Sequence, residues 1–379
     1  MPRPLFEVKD LRVAVFDQER SMRDQPGPVT DAGEGLSSGW VDVVPGISFS
    51  VLPGEVLALV GESASGKSLA LMGGFSLLSP GARVIGGKTR FRDVTFHPDG
   101  SDPSDGSKKS QRRRRKQSRT AGTVVADYRN PAWAEAVGTD IGFMFQNPIG
   151  SWTPDHFIGA QAGEALAEHS DLTVDEIEER VLDALGEVKL PKSRRLLGAY
   201  RHELSRGMAQ RAMLAAALTK APSLLIADEP LNGLDPPVAA AIMDLVKDMQ
   251  KKRNMAMVVV THDLAAVASL ADRVAVVYGG VIIEEGPVIE IYHRPKHPYT
   301  SGLIGSIPGV RDGRLSFIPG DAQRLVDIDR SGCVFANRCT LVSDICTTVP
   351  PESRVLGETS VACHHAESAG LPGLGTSRP

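Results

Sequence analysis

The sequence lacks any apolar run close to the roughly 18 residues that a membrane-spanning helix requires. Its first residues, MPRPLFEVKDLRV, also lack the apolar segment of a secretion signal. These absences argue against an integral membrane protein or a secreted one. They predict a cytoplasmic chain, which could still dock on a membrane protein.

An excess of basic charge is also missing. The 379 residues include 42 Lys and Arg against 46 Asp and Glu, which gives a formal net charge of −4. A protein that binds nucleic acid through its general surface needs net positive charge, so that class is disfavoured and any basic function must be local. The length corresponds to about two to three domains.

Cysteine is scarce and confined to one segment. All four cysteines lie between Cys333 and Cys363, separated by five, six and sixteen residues. In a reducing compartment such clustering favours metal or cluster ligation over disulfides. The spacing matches neither a CxxC zinc ribbon nor a thioredoxin motif, and the adjoining His364 and His365 are expected to be solvent-exposed.

Short apolar runs that alternate with helical patterns dominate the middle of the chain. VLALVG, LLIAD and MAMVVVTH each end in polar residues or glycine, which is typical of buried parallel strands with chemistry at their carboxyl ends. The first 50 residues alternate as antiparallel strands do, around a loop at 18–39. Residues 150–220 are predicted to be mostly helical, with a capping box at Thr173 and Glu176, and Asp235-Pro236 opens a further helix.

A polar segment at about 96–122 cannot contribute to a core and is predicted to be a disordered insertion. It holds the basic residues Lys108, Lys109, Arg112, Arg113, Arg114, Arg115, Lys116 and Arg119. A solvated flexible loop is the simplest interpretation. The alternatives are that this segment contacts anionic lipid, a regulatory protein or nucleic acid. The lack of interleaved aromatic residues disfavours binding of single-stranded nucleic acid.

The segment GESASGKS is a complete phosphate-binding loop between a predicted strand and a predicted helix. Its residues are Gly61, Glu62, Ser63, Ala64, Ser65, Gly66, Lys67 and Ser68. The glycines let backbone N–H groups converge on phosphate, the helix N-terminus adds positive potential, Lys67 neutralises charge and Ser68 can hold Mg²⁺. A structural glycine-rich turn is the alternative.

Further polar residues follow the other predicted strands. Asp228 ends LLIAD, where a phosphate-loop enzyme holds Mg²⁺, and Glu229 is placed to orient or deprotonate a water molecule. Gln146 follows IGFMF, and His262 follows MVVVT. Because parallel strands deliver such residues to one edge of the sheet, these side chains are predicted to share one site.

The sequence contains a series of six motifs, which are, in order, GESASGKS, FQNP, LSRGM, LLIADEP, NGLD and THD. This series resembles that of the ATP-binding cassette (ABC) family. The resemblance implies an α/β phosphate-loop NTPase fold, with a RecA-like parallel core, an antiparallel β subdomain and a helical subdomain. It also implies ATPase activity. By this resemblance, Lys67 would contact the β- and γ-phosphates of ATP. Mg²⁺ would be held by Ser68, Gln146 and Asp228. Glu229 would be the catalytic base, and His262 would sense the γ-phosphate.

Cassettes of this family pair head to tail, so Ser205 and Gly207 of the signature would act on the partner's ATP. Here Arg206 replaces the first signature glycine. That arginine could crowd the interface or place positive charge near phosphate. The family also stacks adenine on an aromatic residue upstream of the phosphate loop; Trp40 is the candidate, with simple packing as its alternative.

The segment EEGPVIEIYHRPKHPYTSGLIGSIP is similar to ATP-binding subunits of dipeptide, oligopeptide and nickel importers. In that subfamily a similar C-terminal cysteine pattern can hold a [4Fe–4S] cluster, which would be ligated here by Cys333, Cys339, Cys346 and Cys363; zinc and unligated thiols stay open. Residues 1–310 would form the nucleotide-binding domain, and 311–379 a small C-terminal Cys-containing region with a flexible tail.

The implied partners are transmembrane permease subunits, a second cassette taken to be a different chain, and indirectly an extracytoplasmic solute-binding protein. The chain would then lie at the cytoplasmic face of the membrane and energise import of peptides or a related small solute. Two other functions stay open: a soluble ABC ATPase outside transport, and a regulatory cassette whose altered signature gives an asymmetric heterodimer. Intact Lys67, Glu229 and His262 argue against a cassette without turnover.

Overall fold

The computed structural model describes residues 3–19, 39–97, 131–307, 318–367, 370, 371 and 373. The predicted loop at 18–39 lies outside the described residues except at its ends. The same holds for the predicted disordered insertion at 96–122, of which only the first two residues are described. Its first residue, Phe96, is buried as the last residue of a strand.

Eight strands form the central sheet. They are β3 (Val56–Val60), β6 (Ile141–Met144), β7 (Leu224–Asp228), β8 (Ala256–Thr261), β9 (Arg273–Tyr278), β10 (Val281–Pro287), β11 (Arg354–Leu356) and β12 (Thr359–Val361). Their order is β11-β12-β10-β9-β3-β8-β7-β6, and the five strands from β9 to β6 are parallel. The carboxyl ends of these five strands therefore share one edge.

A second sheet of four antiparallel strands covers one face of the first. Its members are β1 (Phe6–Phe16), β2 (Trp40–Val51), β4 (Ala82–Phe91) and β5 (Val94–Phe96), in the order β2-β1-β4-β5. Alternate side chains of β3 divide between two cores. Leu57 and Leu59 pack toward the antiparallel sheet, whereas Val56, Ala58 and Val60 pack toward the helices. Burial on both faces explains why VLALV is continuously apolar.

Helices connect the strands. They are α1 (Lys67–Gly74), α2 (Pro131–Thr139), α3 (Ile158–His169), α4 (Val174–Glu187), α5 (Arg194–Leu197), α6 (Arg206–Leu218), α7 (Pro236–Arg253), α8 (Leu264–Leu270), α9 (Val288–His293), α10 (Pro298–Gly305) and α11 (Asp344–Thr348). Within the described ranges, no helix is long and apolar enough to cross a membrane.

Local sequence signals fix where two of these helices begin. The hydroxyl of Thr173 accepts a hydrogen bond from the backbone N–H of Glu176, and the Glu176 carboxylate accepts one from the backbone N–H of Thr173 at 2.7 Å. The predicted capping box is therefore confirmed. Helix α7 begins at Pro236 after Asp235, as the Asp-Pro pair predicts.

Strands near the C-terminus extend the central sheet. β12 pairs antiparallel with β10, and β11 pairs with β12. The polypeptide after 318 thus adds to the same sheet that carries the phosphate loop. The division at 310/311 stays a prediction.

Candidate functional site

The phosphate-binding loop joins the end of β3 to the start of α1. Gly61 has φ 155° and Gly66 has φ 99°. A Cβ atom at Gly61 would lie 2.3 Å from the carbonyl oxygen of Val277, and one at Gly66 would lie 3.0 Å from Cα of Gly280. Both positions therefore require glycine, and the loop leads directly into a helix N-terminus, where backbone N–H groups favour an anion.

Lys67 is buried at the start of α1. Its ammonium group donates to the carbonyl oxygens of Gly61 at 2.9 Å and Glu62 at 2.8 Å, and to Oγ of Ser65 at 3.3 Å. Burial lowers the pKa of Lys67, while the nearby carboxylates, of which Glu229 acts most strongly, oppose that effect. Oxygen atoms of the loop itself thus hold the Lys67 ammonium in position.

Ser68 and Asp228 meet at the carboxyl edge of the sheet. The Ser68 hydroxyl donates to Oδ1 of Asp228 at 2.6 Å, although 160 residues separate them in sequence. Burial raises the pKa of Asp228, and the hydrogen bond from Ser68 acts against that rise. A hydroxyl and a carboxylate are hard oxygen donors of the kind that Mg²⁺ prefers, so this pair fits a magnesium site.

Gln146 lies two residues beyond the end of β6 and is exposed. Because β6 pairs with β7, it lies on the sheet edge that carries Asp228. In the part of the chain that is described, no hydrogen bond joins its amide to Ser68 or Asp228. The structure thus brings Ser68 and Asp228 into contact, and it leaves Gln146 at the same edge without that contact.

Glu229 follows β7 in a left-handed backbone conformation, with φ 47°. Such a conformation is costly for a residue with a Cβ atom, and it is held here by the Glu229 N–H, which donates to the carbonyl of Val260 at 2.8 Å. Nδ1 of His262 lies 2.8 Å from Oε2 of Glu229. An ionised carboxylate only accepts, so this contact with a charged Glu229 requires the His262 tautomer that is protonated at Nδ1.

The signature segment opens helix α6. Ser205 is the N-cap, and its hydroxyl accepts a hydrogen bond from the Met208 N–H at 3.3 Å. Gly207 lies in the first turn, where a Cβ atom would be 3.1 Å from Cγ1 of Val238. Both residues are thus placed at a helix N-terminus, as an anion-contacting pair requires.

Arg206 contacts the NGLD segment of its own chain. Its Nη1 donates to the carbonyl oxygen of Gly233 at 2.8 Å. Gly233 has φ 69°, and a Cβ atom there would come within 1.9 Å of Nη1. The substituted signature arginine therefore uses its charge to bridge two motifs within the chain, an arrangement that the sequence patterns did not indicate.

Trp40 is half-buried at the start of β2. The guanidinium carbon of Arg83 lies 4.1 Å from the ring centroid, and Phe16 contacts the ring edge at 5.6 Å between centroids. One face of the indole thus carries a cation–π contact. Stacking of Trp40 on adenine stays a prediction.

The polypeptide after β10 carries all four cysteines. Cys346 and Cys363 are buried, Cys333 and Cys339 are half-buried, and all four are free thiols. The N–H of Cys333 donates to the carbonyl of Cys346 at 2.7 Å. Burial raises the pKa of Cys333 to about 11, and the charges of the other three thiols add to that rise.

The two histidines after Cys363 are not the solvent-exposed groups that the sequence suggested. Each is half-buried. His364 lies 2.9 Å from the carbonyl of Val349, and His365 lies 2.8 Å from the hydroxyl of Ser343. Their rings pack into the cysteine-bearing fold because hydrogen-bond partners there compensate for lost water.

Comparison with known proteins places these motifs in a family. The ABC transporter family matches residues 44–232, and the family described as the oligopeptide/dipeptide transporter C-terminal region matches residues 283–346. The dipeptide transport ATP-binding protein DppD of Bacillus subtilis is 35% identical over 343 residues, which cover 88% of this chain and 93% of that protein. DppD of Escherichia coli is 34% identical over 332 residues, covering 86% and 92%.

Solved structures agree on the fold. The dimeric post-hydrolysis structure of the ATP-binding cassette MJ0796 bound to ADP and Pi superposes with a TM-score of 0.54 at 19% identity, covering 75% of this chain and 98% of that one. At this identity the likeness shows the fold alone, and it confirms the predicted α/β cassette class. The family matches and the nearly full-length relatives go further: the chain belongs to the ABC transporter family and is an ABC-type ATPase of the branch that carries the oligopeptide/dipeptide transporter C-terminal region.

Proposed function

We propose that this chain hydrolyses ATP to energise an importer of peptides or a related small solute. The observation that carries the proposal is its nearly full-length similarity to dipeptide transport ATP-binding proteins, which includes the C-terminal region at 283–346. The proposed location is the cytoplasmic face of the membrane, where the chain docks on permease subunits. A solute-binding protein on the other side would act on it only through the permease.

The site supplies the groups that hydrolysis needs. Lys67 and the N-terminus of α1 bind the β- and γ-phosphates, and Glu229 accepts a proton from the attacking water, while His262 orients the Glu229 carboxylate. Ser68, Asp228 and Gln146 would hold Mg²⁺, which neutralises charge on the phosphate oxygens. The contact between Ser68 and Asp228 supports two of these three ligands.

A groove in the helical subdomain supports docking on a permease. It has a volume of about 460 Å³ and lies between α3 and α4, lined mainly by apolar residues. Phe157 and Val174 on its rim are 47% and 80% exposed, a costly arrangement unless a partner covers them. A cytoplasmic helix of the permease is the occupant that importer function requires, because closure of the cassette must reach the membrane.

Reconstitution of the cassette with its permease in lipid vesicles tests this function. ATP hydrolysis is expected to rise several-fold when the solute-binding protein and a dipeptide are added, and labelled dipeptide should accumulate inside the vesicles. Phe157→Asp should remove the stimulation by placing charge in the apolar groove. A rate of ATP hydrolysis that does not change when permease or solute is added would instead indicate an ABC ATPase that functions outside transport.

We also propose that the four cysteines ligate a [4Fe–4S] cluster. Four free cysteines in one region of the chain supply the ligand number that such a cluster takes. Among the described residues, no group of three or more His, Cys, Asp or Glu side chains forms a site for a metal ion, and zinc ligation or unligated thiols are the alternatives to the cluster. Such a cluster supplies electron transfer or structural cross-linking when bound.

The basic run at 108–119 lies outside the described residues. Contact of this run with anionic lipid headgroups is a further proposal, supported by its charge and by the membrane location proposed above.

Pairing with a second, different cassette would give Arg206 a measurable effect. Arg206→Gly removes the hydrogen bond to Gly233, and a net contribution of about 0.5–1.5 kcal/mol corresponds to a rate change of about two- to tenfold. The change is expected at the partner's site, which the signature of this chain completes. Turnover in a complex in which this chain carries Glu229→Gln isolates that site.

Arg211→Gln provides the matched control for Arg206. Arg211 lies on the same helix, and its Nη1 donates to the carbonyl of Val188 at 3.4 Å, in a different segment from NGLD. Equal rates of ATP hydrolysis at the partner's site for Arg206→Gly and its parent would show that Arg206 is a tolerated surface variant without effect on turnover.

A further inference from the structure

An ion pair with a buried guanidinium joins the cysteine-bearing region, residues 318–367, to the phosphate loop. Nη1 of Arg338 donates to Oε2 of Glu62 at 2.7 Å, and Nη2 donates to Oε1 at 3.1 Å. The Arg338 side chain is only 5% exposed and that of Glu62 27%. Two parallel hydrogen bonds between a guanidinium and a carboxylate fix both the distance and the orientation of the groups.

Arg338 is itself held on the far side of this pair. Its Nε donates to the carbonyl of Pro319 at 2.8 Å, and Nη2 also donates to that of Gly320 at 3.2 Å. The residue ends a short 3₁₀ turn, Ala336–Arg338, immediately before Cys339. A guanidinium stays protonated in proteins. The guanidinium is therefore a rigid, permanent cation aimed at the loop.

Glu62 is a part of the loop that Lys67 contacts. Its carbonyl oxygen accepts from the Lys67 ammonium at 2.8 Å, and its N–H donates to the hydroxyl of Tyr299 at 2.8 Å. Any shift of the Glu62 backbone thus moves an oxygen atom that accepts a hydrogen bond from the Lys67 ammonium. Tyr299 and Tyr278 both pack against Phe335 of the cysteine-bearing region, with ring centroids 5.3 and 5.2 Å apart. The loop is fixed from the C-terminal side through both its side chain and its backbone.

We propose that Arg338 is a positioning residue for ATP binding, and that the cysteine-bearing region controls nucleotide affinity through the Arg338–Glu62 pair. The arginine acts on nucleotide only through the loop, by keeping Glu62 and the Lys67 environment in the phosphate-binding arrangement. The inference rests on the ATP-binding role of the loop, and it does not depend on peptide transport or on a bound cluster.

Equilibrium titration of the full chain with a fluorescent ADP analogue tests the proposal. Arg338→Gln and Glu62→Gln are each expected to weaken binding about tenfold, because the first leaves the half-buried Glu62 carboxylate unpaired and the second leaves the buried Arg338 guanidinium unpaired. The double substitution should be no weaker than the worse single one, since both remove the same interaction. Arg338→Lys keeps the positive charge but cannot form the two parallel hydrogen bonds, so it should recover part of the affinity.

Arg324→Gln serves as the matched control. Arg324 lies in the same region and pairs with Asp327 in an exposed position, so its loss should leave affinity within twofold of the parent. Thermal unfolding is measured alongside for every variant. Variants of the pair that unfold earlier yet bind nucleotide as the parent does would overturn the proposal, as would additive effects in the double substitution. Loss of transport with the titration results intact would instead count against the importer function alone.

Discussion

Glu229→Gln is expected to slow ATP hydrolysis at this chain's site about 100-fold or more, with little effect on nucleotide affinity. The amide cannot accept the proton of the attacking water. The hydrogen bonds of Lys67 to the Gly61 carbonyl and of Ser68 to Asp228 do not involve that side chain. Loss of rate without loss of binding is the signature of an interaction made only in the transition state.

Single-turnover hydrolysis of labelled ATP by the assembled importer measures this effect. Asp244→Asn is a matched control, because it also replaces a carboxylate by an amide. Asp244 is an exposed residue of α7, and it lines the same cavity of about 500 Å³ as Glu229. This variant should hydrolyse ATP at the parental rate. Should Glu229→Gln turn over as fast as Asp244→Asn, another group must be the base.

Cys346→Ser is expected to abolish the brown absorption at about 400 nm that a [4Fe–4S] cluster gives after anaerobic purification. Cys346 is buried, so its loss removes a ligand that neither water nor a neighbouring thiol can readily replace. The parent protein should contain about four iron atoms per chain.

Ser343→Ala separates loss of a ligand from a general disturbance of the region. The Ser343 hydroxyl lies 3.5 Å from Sγ of Cys346 but is not one of the four thiols. This variant should keep its iron and its absorption. Stoichiometric zinc in the parent, or four thiols that react freely with an alkylating reagent and no metal, would refute the cluster.

The parts of the site that sequence predicted are those with local causes. The glycines of the phosphate loop, the strand ending at Asp228 and the capping box at Thr173 each depend on residues within a few positions. Parallel strands then bring their carboxyl ends together, so contact between Ser68 and Asp228 follows from the fold class.

Contacts between segments without a shared local pattern were not predictable. Arg206 and Gly233 are 27 residues apart, and nothing in either motif indicates that the arginine side chain turns toward the glycine carbonyl. Arg338 and Glu62 are separated by 276 residues. The only signal in the sequence was an arginine beside a cysteine, and its burial depends on how the polypeptide after 318 packs.

The separation of Arg338 from Glu62 sets an order of events during synthesis. A ribosome that adds about 5–20 residues per second needs roughly 15–55 s to cover the interval between them. Throughout that time the phosphate loop of the nascent chain lacks its ion pair, because its partner has not yet been made. A chain released early, before residue 338, would thus carry every nucleotide motif from 61 to 262 and still lack the contact that holds Glu62 in place.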